Sequence, residues 1–294
     1  MKVLVTGGTG FVGPAVVRAL RAAGHEVRVL EREPGTAAKA GLTEIEAVQG
    51  DMADPSSLRA AADGVEAVVH LVAIIHGKPE EFERVMVQGT RDLVEAAKDA
   101  GARRLVLMSA LGTEEGREVT PYFHAKWEEE QAVKYSGLEH VIFRPSFVFA
   151  GDGGILTQQL RLVRYSPVTP ILGRHLLQPI WGEDVATFFT KAVQAEEAPN
   201  RTFDLGGPDR LSWDDLHALI RKTLDKRRLA FGVPPALLKA GATVGQILPP
   251  FHGARAAVDM LDLGDNVGDP QPAIEAFGVR PIGVQEQVRR AAAA

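Results

Sequence analysis

The sequence predicts an α/β protein with a doubly wound parallel sheet, and three observations lead to that class. Strand-like apolar runs alternate with helix-like amphipathic runs through the first 150 residues. Residues 65–72 are almost continuously apolar, which is typical of a parallel strand buried on both faces. A glycine-rich turn joins the first strand to the first helix. Together these features favour parallel strands with helices packed on both sides.

The first βαβ unit takes about thirty residues. The β-branched and aliphatic run Lys2–Thr6 predicts a buried strand, and residues 14–23 have the apolar spacing of a helix. Gly24 ends that helix, and residues 26–30 form a second strand. The unit is therefore complete from strand to strand, with the glycine turn at residues 7–13 between its first two elements.

The glycines of this turn are Gly7, Gly10 and Gly13, spaced G-x-x-G-x-x-G. The first permits a tight turn, the second lets a pyrophosphate approach the backbone, and the third lets helix and strand pack closely. The helix N-terminus then directs unpaired N–H groups and a positive dipole end toward the phosphates. No Lys-Ser/Thr pair follows, so the turn is not an NTPase phosphate loop. We predict a Rossmann-type dinucleotide site.

The remaining elements continue the alternation before it weakens. Strands are expected at 45–51, 65–72, 104–108, 139–143 and 202–205, and helices at 56–62, 80–100, 121–135, 155–165, 182–195 and after the capping residue Ser212. Residues 1–150, with 178–205 returning to them, are assigned to a dinucleotide-binding domain, and 151–177 with 206–294 to a smaller C-terminal substrate lobe. An apolar helix at 234–248 is assigned to lobe packing or a subunit contact.

Composition excludes several classes of function. A formal charge of −5 over 294 residues gives no electrostatic footprint for nucleic acid. The chain has no cysteine, so thiolate chemistry is excluded, and its eight histidines lack metal-site spacing, so we expect no metal. No apolar run reaches the length of a transmembrane helix, and Met1 begins a core strand without a signal peptide. A soluble, cytoplasmic protein is expected.

Several strings resemble the extended or atypical short-chain dehydrogenase/reductase superfamily, which includes NAD-dependent epimerases and dehydratases. The match spans nearly the whole chain. Thr6–Gly13 is similar to the cofactor fingerprint, and Tyr122–Lys126 reproduces the catalytic Tyr-x-x-x-Lys. Residues 261–267 add a similarity to the branch related to the accessory NADH:ubiquinone oxidoreductase subunit. The resemblance implies that the cofactor contacts Gly7, Thr9, Gly10, Phe11, Val12, Gly13, Glu31, Arg32, Asp51, Met52, Leu71, Val72, Ala73, Lys126 and Pro145.

The Tyr-x-x-x-Lys spacing puts both side chains on one helical face. A phenol with a pKa near 10 is a poor acid or base at neutral pH, and an ammonium one turn away favours the phenolate. We therefore expect Tyr122 to act as acid/base, with Lys126 lowering its pKa and also holding the nicotinamide ribose. By resemblance, Ser109 is the hydroxyl that steadies the substrate oxygen, with Thr113 in reserve.

Two function classes remain open. The intact Tyr122 and Lys126 favour an NAD(P)-dependent oxidoreductase or epimerase/dehydratase that acts on a small carbonyl or alcohol or a nucleotide sugar. Met86 stands where the superfamily often has an asparagine that organises a water relay. That departure and the accessory-subunit similarity favour a non-catalytic nucleotide-binding module on a partner protein. The sequence does not identify the substrate or the oligomeric state.

Cofactor choice rests on two neighbouring residues. Glu31 ends the second strand, where an acid can accept hydrogen bonds from both ribose hydroxyls of NAD. Arg32 lies beside it and could instead pair with the 2′-phosphate of NADP. Both residues could also be solvated turn residues. The accessory-subunit branch implies NADP(H), and we favour NADP(H) over NAD.

Overall fold

The computed structural model describes residues 1–75, 77–171, 175–196, 200–232 and 263–294. Within these ranges the strands are, in chain order, β1 (Lys2–Thr6), β2 (Glu26–Glu31), β3 (Glu46–Gln49), β4 (Ala67–His70), β5 (Arg104–Met108), β6 (Glu139–Pro145), β7 (Val148–Phe149), β8 (Val168–Ile171), β9 (Ile180–Trp181), β10 (Arg201–Leu205) and β11 (Leu229–Gly232). The main sheet is parallel throughout and has the order β10-β6-β5-β4-β1-β2-β3. The predicted doubly wound parallel sheet is confirmed.

The helices alternate with these strands. In the same described ranges they are α1 (Gly13–Ala22), α2 (Thr36–Lys39), α3 (Pro55–Ala62), α4 (Pro79–Phe82), α5 (Gly89–Asp99), α6 (Thr113–Gly116), α7 (Pro121–Lys134), α8 (Gly154–Tyr165), α9 (Gly182–Gln194), α10 (Trp213–Thr223), α11 (Gln271–Phe277) and α12 (Val284–Ala293). A π-helical segment, Glu83–Gln88, lies between α4 and α5. None of these helices is long and apolar enough to cross a membrane.

Two boundary predictions are corrected. The helix expected over 80–100 is interrupted by the π-helical segment, whose i→i+5 bonding accommodates one extra residue per turn. No proline or glycine within residues 80–88 marks this interruption in the sequence. The strand expected over 65–72 spans only Ala67–His70, because the chain leaves the sheet after His70. The helix expected at 234–248 lies outside the described residues.

The chain divides into two compact units. The first comprises Met1–Pro145, Gly182–Leu205 and Pro270–Val279, and it contains the whole main sheet. The second comprises Ser146–Trp181, Gly206–Asp269 and Arg280–Ala294. Two short parallel pairs, β7 with β9 and β8 with β11, belong to the second unit.

The core of the first unit includes a cluster of phenylalanine rings, which we call the aromatic cluster. Ring centroids lie 5.0 to 6.4 Å apart, within the range of favourable edge and tilted contacts. Its members are Phe143, Phe188, Phe189, Phe203 and Phe277. These rings come from β6, α9, β10 and α11, so the cluster fixes a late segment of the chain to the sheet.

Candidate dinucleotide and catalytic site

The predicted cofactor residues gather at one edge of the main sheet. Apart from Lys126 on α7, they lie at or just after the carboxyl ends of β1 to β4 or at the end of β6. Parallel strands bring these ends to the same edge. β1 lies between β4 and β2, where the strand order reverses. Ligands of open parallel sheets bind in the crevice at such a reversal. The first unit therefore presents the predicted residues where a dinucleotide site belongs.

The glycine turn after β1 is as tight as the spacing predicts. Gly7 has a φ of +75°, and a Cβ there would lie 2.8 Å from the backbone nitrogen of Val72. A Cβ on Gly13 would lie 2.4 Å from the carbonyl oxygen of Gly7. Any side chain at either position would collide with backbone, so both glycines are needed for the turn to form.

Gly10 and the N-terminus of α1 provide the test of fit for a pyrophosphate. Gly10 is exposed, and among the described residues a Cβ there would meet only the Gly7 carbonyl oxygen, at 3.2 Å. The N-terminus of α1 carries no side-chain cap and no acid in its first turn, and Pro14 stands at its start. Uncapped N–H groups beside open space are what an anion at a helix N-terminus requires. The turn fits a dinucleotide phosphate.

Glu31 has a different environment from the one expected. Its Oε1 accepts a hydrogen bond from the Gly35 N–H at 2.8 Å, and its Oε2 accepts one from the Ala37 N–H at 2.8 Å. Only 6% of the residue is exposed, and these backbone N–H groups hold the pKa of the carboxyl below its usual value. The carboxylate thus caps the start of α2. It is not a solvated turn residue, and its contact with a ribose stays a prediction.

Arg32 is exposed directly beyond this cap. Among the described residues no group forms a hydrogen bond or ion pair with its guanidinium. A cation without a partner at the end of the second strand suits a 2′-phosphate better than a ribose hydroxyl, because a guanidinium donates in a fork that matches phosphate.

Replacing Arg32 should separate the two cofactors. We expect Arg32→Ala to raise the Kd for NADPH by about 10- to 150-fold, since a charge-assisted hydrogen bond contributes roughly 1.5–3 kcal/mol. The Kd for NADH should change little. Isothermal titration of both cofactors measures the ratio, with exposed Arg18 of α1 changed to alanine as the control for net charge. A tighter wild-type Kd for NADH than for NADPH would contradict the preference.

The other predicted cofactor residues lie on the loops after β3 and β4 and at the end of β6. One Asp51 oxygen accepts from the Ala53 N–H at 2.8 Å, which tightens the loop after β3 and places Met52 in the core. After β4, Leu71 is buried and Ala73 is exposed. Pro145 is buried at the end of β6. These positions match the expected crevice wall, and their cofactor contacts stay predictions.

Lys126 is almost fully buried on α7, at 1% exposure. Its ammonium donates to the carbonyl oxygens of Val72 at 3.2 Å and Met108 at 2.9 Å. It also lies 2.9 Å from Glu129 Oε2. Burial, the largest single effect, lowers the pKa of Lys126, but the charges of Glu129, Tyr122 and Glu130 together outweigh it, and the pKa is raised. Two ammonium protons thus have carbonyl acceptors, and the contact with Glu129 is an ion pair.

Tyr122 lies one turn before Lys126 and is half-buried against Phe82, Met86 and Ala125. Burial raises its pKa, the Lys126 charge lowers it, and the Glu129 charge raises it further. The net shift is upward. The expectation that Lys126 lowers the pKa has the right sign for that one interaction, but burial and Glu129 outweigh it.

Ser109 has a partner that sequence reasoning did not foresee. Its hydroxyl donates to Glu130 Oε1 at 2.6 Å, and Thr113 Oγ1 lies 3.2 Å away. The Thr113 hydroxyl donates to the Ala110 carbonyl at 2.6 Å. Each hydroxyl proton therefore has a protein acceptor, and the expected role of Ser109, or of Thr113 in reserve, stays a prediction.

Glu130 anchors α7 to the end of β6. Arg144 donates two hydrogen bonds to the carboxylate, from Nε and from a terminal nitrogen, both at 2.7 Å. Lys134 adds a third at 3.0 Å. Burial opposes ionisation of Glu130, but the hydrogen bonds and charge of Arg144 prevail and hold its pKa below the usual value. This fork orients the helix that carries Tyr122 and Lys126.

Breaking this fork should destabilise the fold. We expect Glu130→Ala to lower the free energy of unfolding by about 3–5 kcal/mol, because it removes both hydrogen bonds that Arg144 donates and leaves that charge only a longer ion pair with Glu114. The folded-state pKa of Glu130 is depressed, so its stabilisation is present above about pH 4.3 and is lost as the pH falls through the folded-state pKa. Urea unfolding of both proteins measures the difference, which should shrink in acid. Glu128→Ala, at a partly exposed acid on the same helix, is the control.

Sequence reasoning missed a buried polar chain behind Lys126. It consists of Thr6, His70, Thr90 and Glu129, each 0% exposed. Residues 128–130 are three consecutive acids, a run typical of a solvated helix face, so no sequence signal distinguished Glu129. Thr6 lies in the string already assigned to the cofactor fingerprint.

Comparison with known proteins identifies the class. A family model described as NAD(P)H-binding matches residues 7–195, which is more than half of the chain. The chain belongs to this NAD(P)H-binding family. The predicted membership of the short-chain dehydrogenase/reductase superfamily and the predicted NAD or NADP cofactor are confirmed, whereas the closer link to the NADH:ubiquinone oxidoreductase subunit stays a prediction.

Curated relatives include reductases and an assembly factor. The chain is 36% identical over 174 residues to ceramide reductase of Caulobacter vibrioides, covering 58% of this chain and 54% of that protein. It thus spans about half the length of that relative. It is 26% identical over 268 residues to NAD(P)H azoreductase of Xenophilus azovorans, covering 85% and 88%. It is 28% identical over 244 residues to photosystem II assembly factor Ycf39 of Cyanophora paradoxa, covering 81% and 74%.

Solved structures share the fold. Triphenylmethane reductase of Citrobacter sp. complexed with NADP(H) superposes with a TM-score of 0.82 at 20% identity, over 99% of this chain and 100% of that one. UDP-glucose 4-epimerase of Thermotoga maritima superposes with a TM-score of 0.78 at 18% identity, over 100% and 98%. At identities this low, the superpositions establish a common architecture and not a common activity.

Proposed function

We propose that this chain is an NAD(P)-dependent oxidoreductase that prefers NADP(H) and uses Tyr122 as the acid/base. The observation that carries the proposal is the placement of Tyr122 on α7, half-buried and one turn before Lys126. Both residues belong to the same compact unit as the glycine turn. When bound, the nicotinamide supplies or accepts a hydride.

The chain's own residues have three tasks in this proposal. The N–H groups at the start of α1 bind the pyrophosphate, and the open space at Gly10 accommodates it. Arg32 binds the 2′-phosphate. The Tyr122 hydroxyl donates a proton to the substrate oxygen, and no described group forms a hydrogen bond with it that would compete for this proton.

The substrate class we favour is a small carbonyl compound. Two of the relatives named above are reductases, and so is the triphenylmethane reductase that shares the fold. An alcohol or a nucleotide sugar is the alternative, since an epimerase of UDP-glucose shares the fold too.

A turnover screen tests the proposal. The purified protein is incubated with NADPH and, in separate reactions, with ketones, aldehydes, quinones and azo compounds, and the absorbance of NADPH is followed. We expect at least one class to oxidise NADPH above background. The screen is repeated with nucleotide sugars and with NAD. If the protein binds cofactor but turns over no compound in any of these reactions, the proposal is contradicted.

A cofactor-holding module is the second candidate, and one observation favours it. The Ser109 hydroxyl proton and two of the three ammonium protons of Lys126 already have protein acceptors. A relative of this chain is named an assembly factor rather than an enzyme. For such a module, bound nucleotide would raise the melting temperature while Tyr122 could be replaced without effect on partner binding.

A further inference from the structure

The buried polar chain behind Lys126 has a definite direction. Thr90 Oγ1 donates to Glu129 Oε1 at 3.3 Å, so its lone pairs are free to accept from His70 Nε2, which lies 2.9 Å away. His70 Nδ1 then carries the lone pair and accepts from Thr6 Oγ1 at 2.5 Å. Every hydrogen bond in the chain points toward Glu129.

The chain ends at the ion pair between Glu129 and Lys126. The donors end at an acceptor, Glu129 Oε1, and aligned hydrogen bonds strengthen one another in a buried site. Glu129 is 0% exposed, so bulk solvent does not reach it. A buried carboxylate needs a counter-charge, which Lys126 supplies at 2.9 Å.

The ion pair changes what Tyr122 experiences. An ammonium one turn away would draw the proton off a phenol if it stood alone. Here Glu129 carries an equal and opposite charge beside that ammonium, and both charges lie in the buried interior, where solvent screens neither. The pair therefore presents a dipole rather than a positive charge to the phenol.

We propose that Glu129 is a positioning residue of this site: by pairing with Lys126 it keeps the proton on Tyr122 and commits the site to proton donation during reduction. The proposal rests on the proposed function for its chemistry. It assigns a role to an acid that the Tyr-x-x-x-Lys motif does not include.

The reduction balances as follows. A hydride adds to the substrate carbon with its electron pair, and the reduced cofactor is thereby oxidised. The O–H bond of Tyr122 breaks, and its proton goes to the substrate oxygen, so a carbonyl becomes an alcohol. Tyr122 then regains a proton from water. Oxidation would require an ionised phenol at the outset, which the Glu129 charge opposes.

The groups that set the proton affinity of Tyr122 come from several elements. On α7 itself they are Lys126 and Glu129, and burial adds to the effect of Glu129. Nε2 of His70 on β4 lies 3.8 Å from Glu129 Oε1. The negative charge of Glu130 raises the pKa of Lys126. Reduction should therefore proceed at a constant rate through neutral pH and slow only as the pH rises through the high pKa of Tyr122.

The chain offers a direct readout, since it has only three tyrosines. Tyr135 and Tyr165 are 84% and 77% exposed, so both can be changed to phenylalanine to leave Tyr122 alone. Tyrosinate absorbance, or the NMR signal of ring-labelled tyrosine, then titrates Tyr122 in the intact protein without substrate or cofactor. We expect Glu129→Gln in this background to raise the acid dissociation constant of Tyr122 by about tenfold or more. Glu128→Gln, a neighbouring acid paired with Arg91, should leave it unchanged.

Each outcome bears on the proposal. An unchanged Tyr122 titration in folded Glu129→Gln protein would overturn it, as would an equal change in the Glu128→Gln control. If Glu129→Gln does not fold, Glu129→Asp keeps the charge but lengthens the ion pair, and a smaller shift in the same direction is then required. A shifted titration without turnover in the substrate screen would reject the proposed function and leave the role of Glu129 intact. Turnover together with an unshifted Tyr122 titration would reject only the role proposed for Glu129.

Discussion

Tyr122→Phe should lower kcat for carbonyl reduction by about a hundredfold or more while leaving the Kd for NADPH nearly unchanged. The substitution removes one oxygen and keeps the ring that packs against Phe82, Met86 and Ala125. General acid catalysis contributes about 10²–10⁴-fold, and its loss appears in kcat because the proton moves only in the reaction step. Stopped-flow measurement of NADPH oxidation gives kcat, and calorimetry gives the Kd.

Tyr135→Phe is the matched control for this experiment. It makes the same chemical change on an exposed ring, so both constants should match the wild type. If Tyr122→Phe retains full kcat on a substrate that the wild type reduces, the proton comes from another donor. That result would reject the acid/base role and leave the dinucleotide site unaffected.

Gly10→Val should weaken dinucleotide binding by about 10- to 150-fold, the equivalent of losing one charge-assisted hydrogen bond to phosphate. A Cβ at Gly10 meets only one backbone atom, at 3.2 Å, so the protein should fold with a modest local adjustment. The two extra methyl groups then fill the space that a pyrophosphate needs. Calorimetric titration with NADPH and NADH measures the loss.

Circular dichroism and the melting temperature without cofactor show whether the Gly10→Val protein is folded. Gly41, exposed and far along the sequence from the turn, is a poor control because its positive φ disfavours any side chain. Ala15→Val on α1 adds the same two methyl groups two residues after Gly13 and is the better comparison. Unchanged affinity in folded Gly10→Val protein would place the pyrophosphate elsewhere.

The fold could be predicted because strand and helix periodicities are local signals. The end of β1 can be predicted to within one residue. The buried strand requires the apolar run Lys2–Thr6, and the positive φ that follows favours a glycine, Gly7, so both features are visible in the sequence. The π-helical segment at Glu83–Gln88 left none, because an added residue in a helix needs no special residue type.

The candidate site was less predictable, since the partner of a polar group is set by tertiary structure. Glu31 was placed correctly at its strand end, yet its carboxylate caps α2. Ser109 and Glu130 are far apart in the sequence and meet only because α7 packs beside β5 and β6. Glu129 is buried because the helix turns that side toward β4 and α5, which a run of acids cannot reveal.

The division of the chain has a consequence for synthesis. The boundaries at 145/146, 181/182, 205/206, 269/270 and 279/280 mean that neither unit is one continuous stretch. The glycine turn, Tyr122 and Lys126 emerge early from the ribosome, but β10 and Phe277 emerge late. Until these late segments have been synthesised, the nascent sheet has an unpaired edge at β6 and an incomplete aromatic cluster. Cleavage or premature termination before Phe277 should release a chain that contains every proposed functional residue and still aggregates.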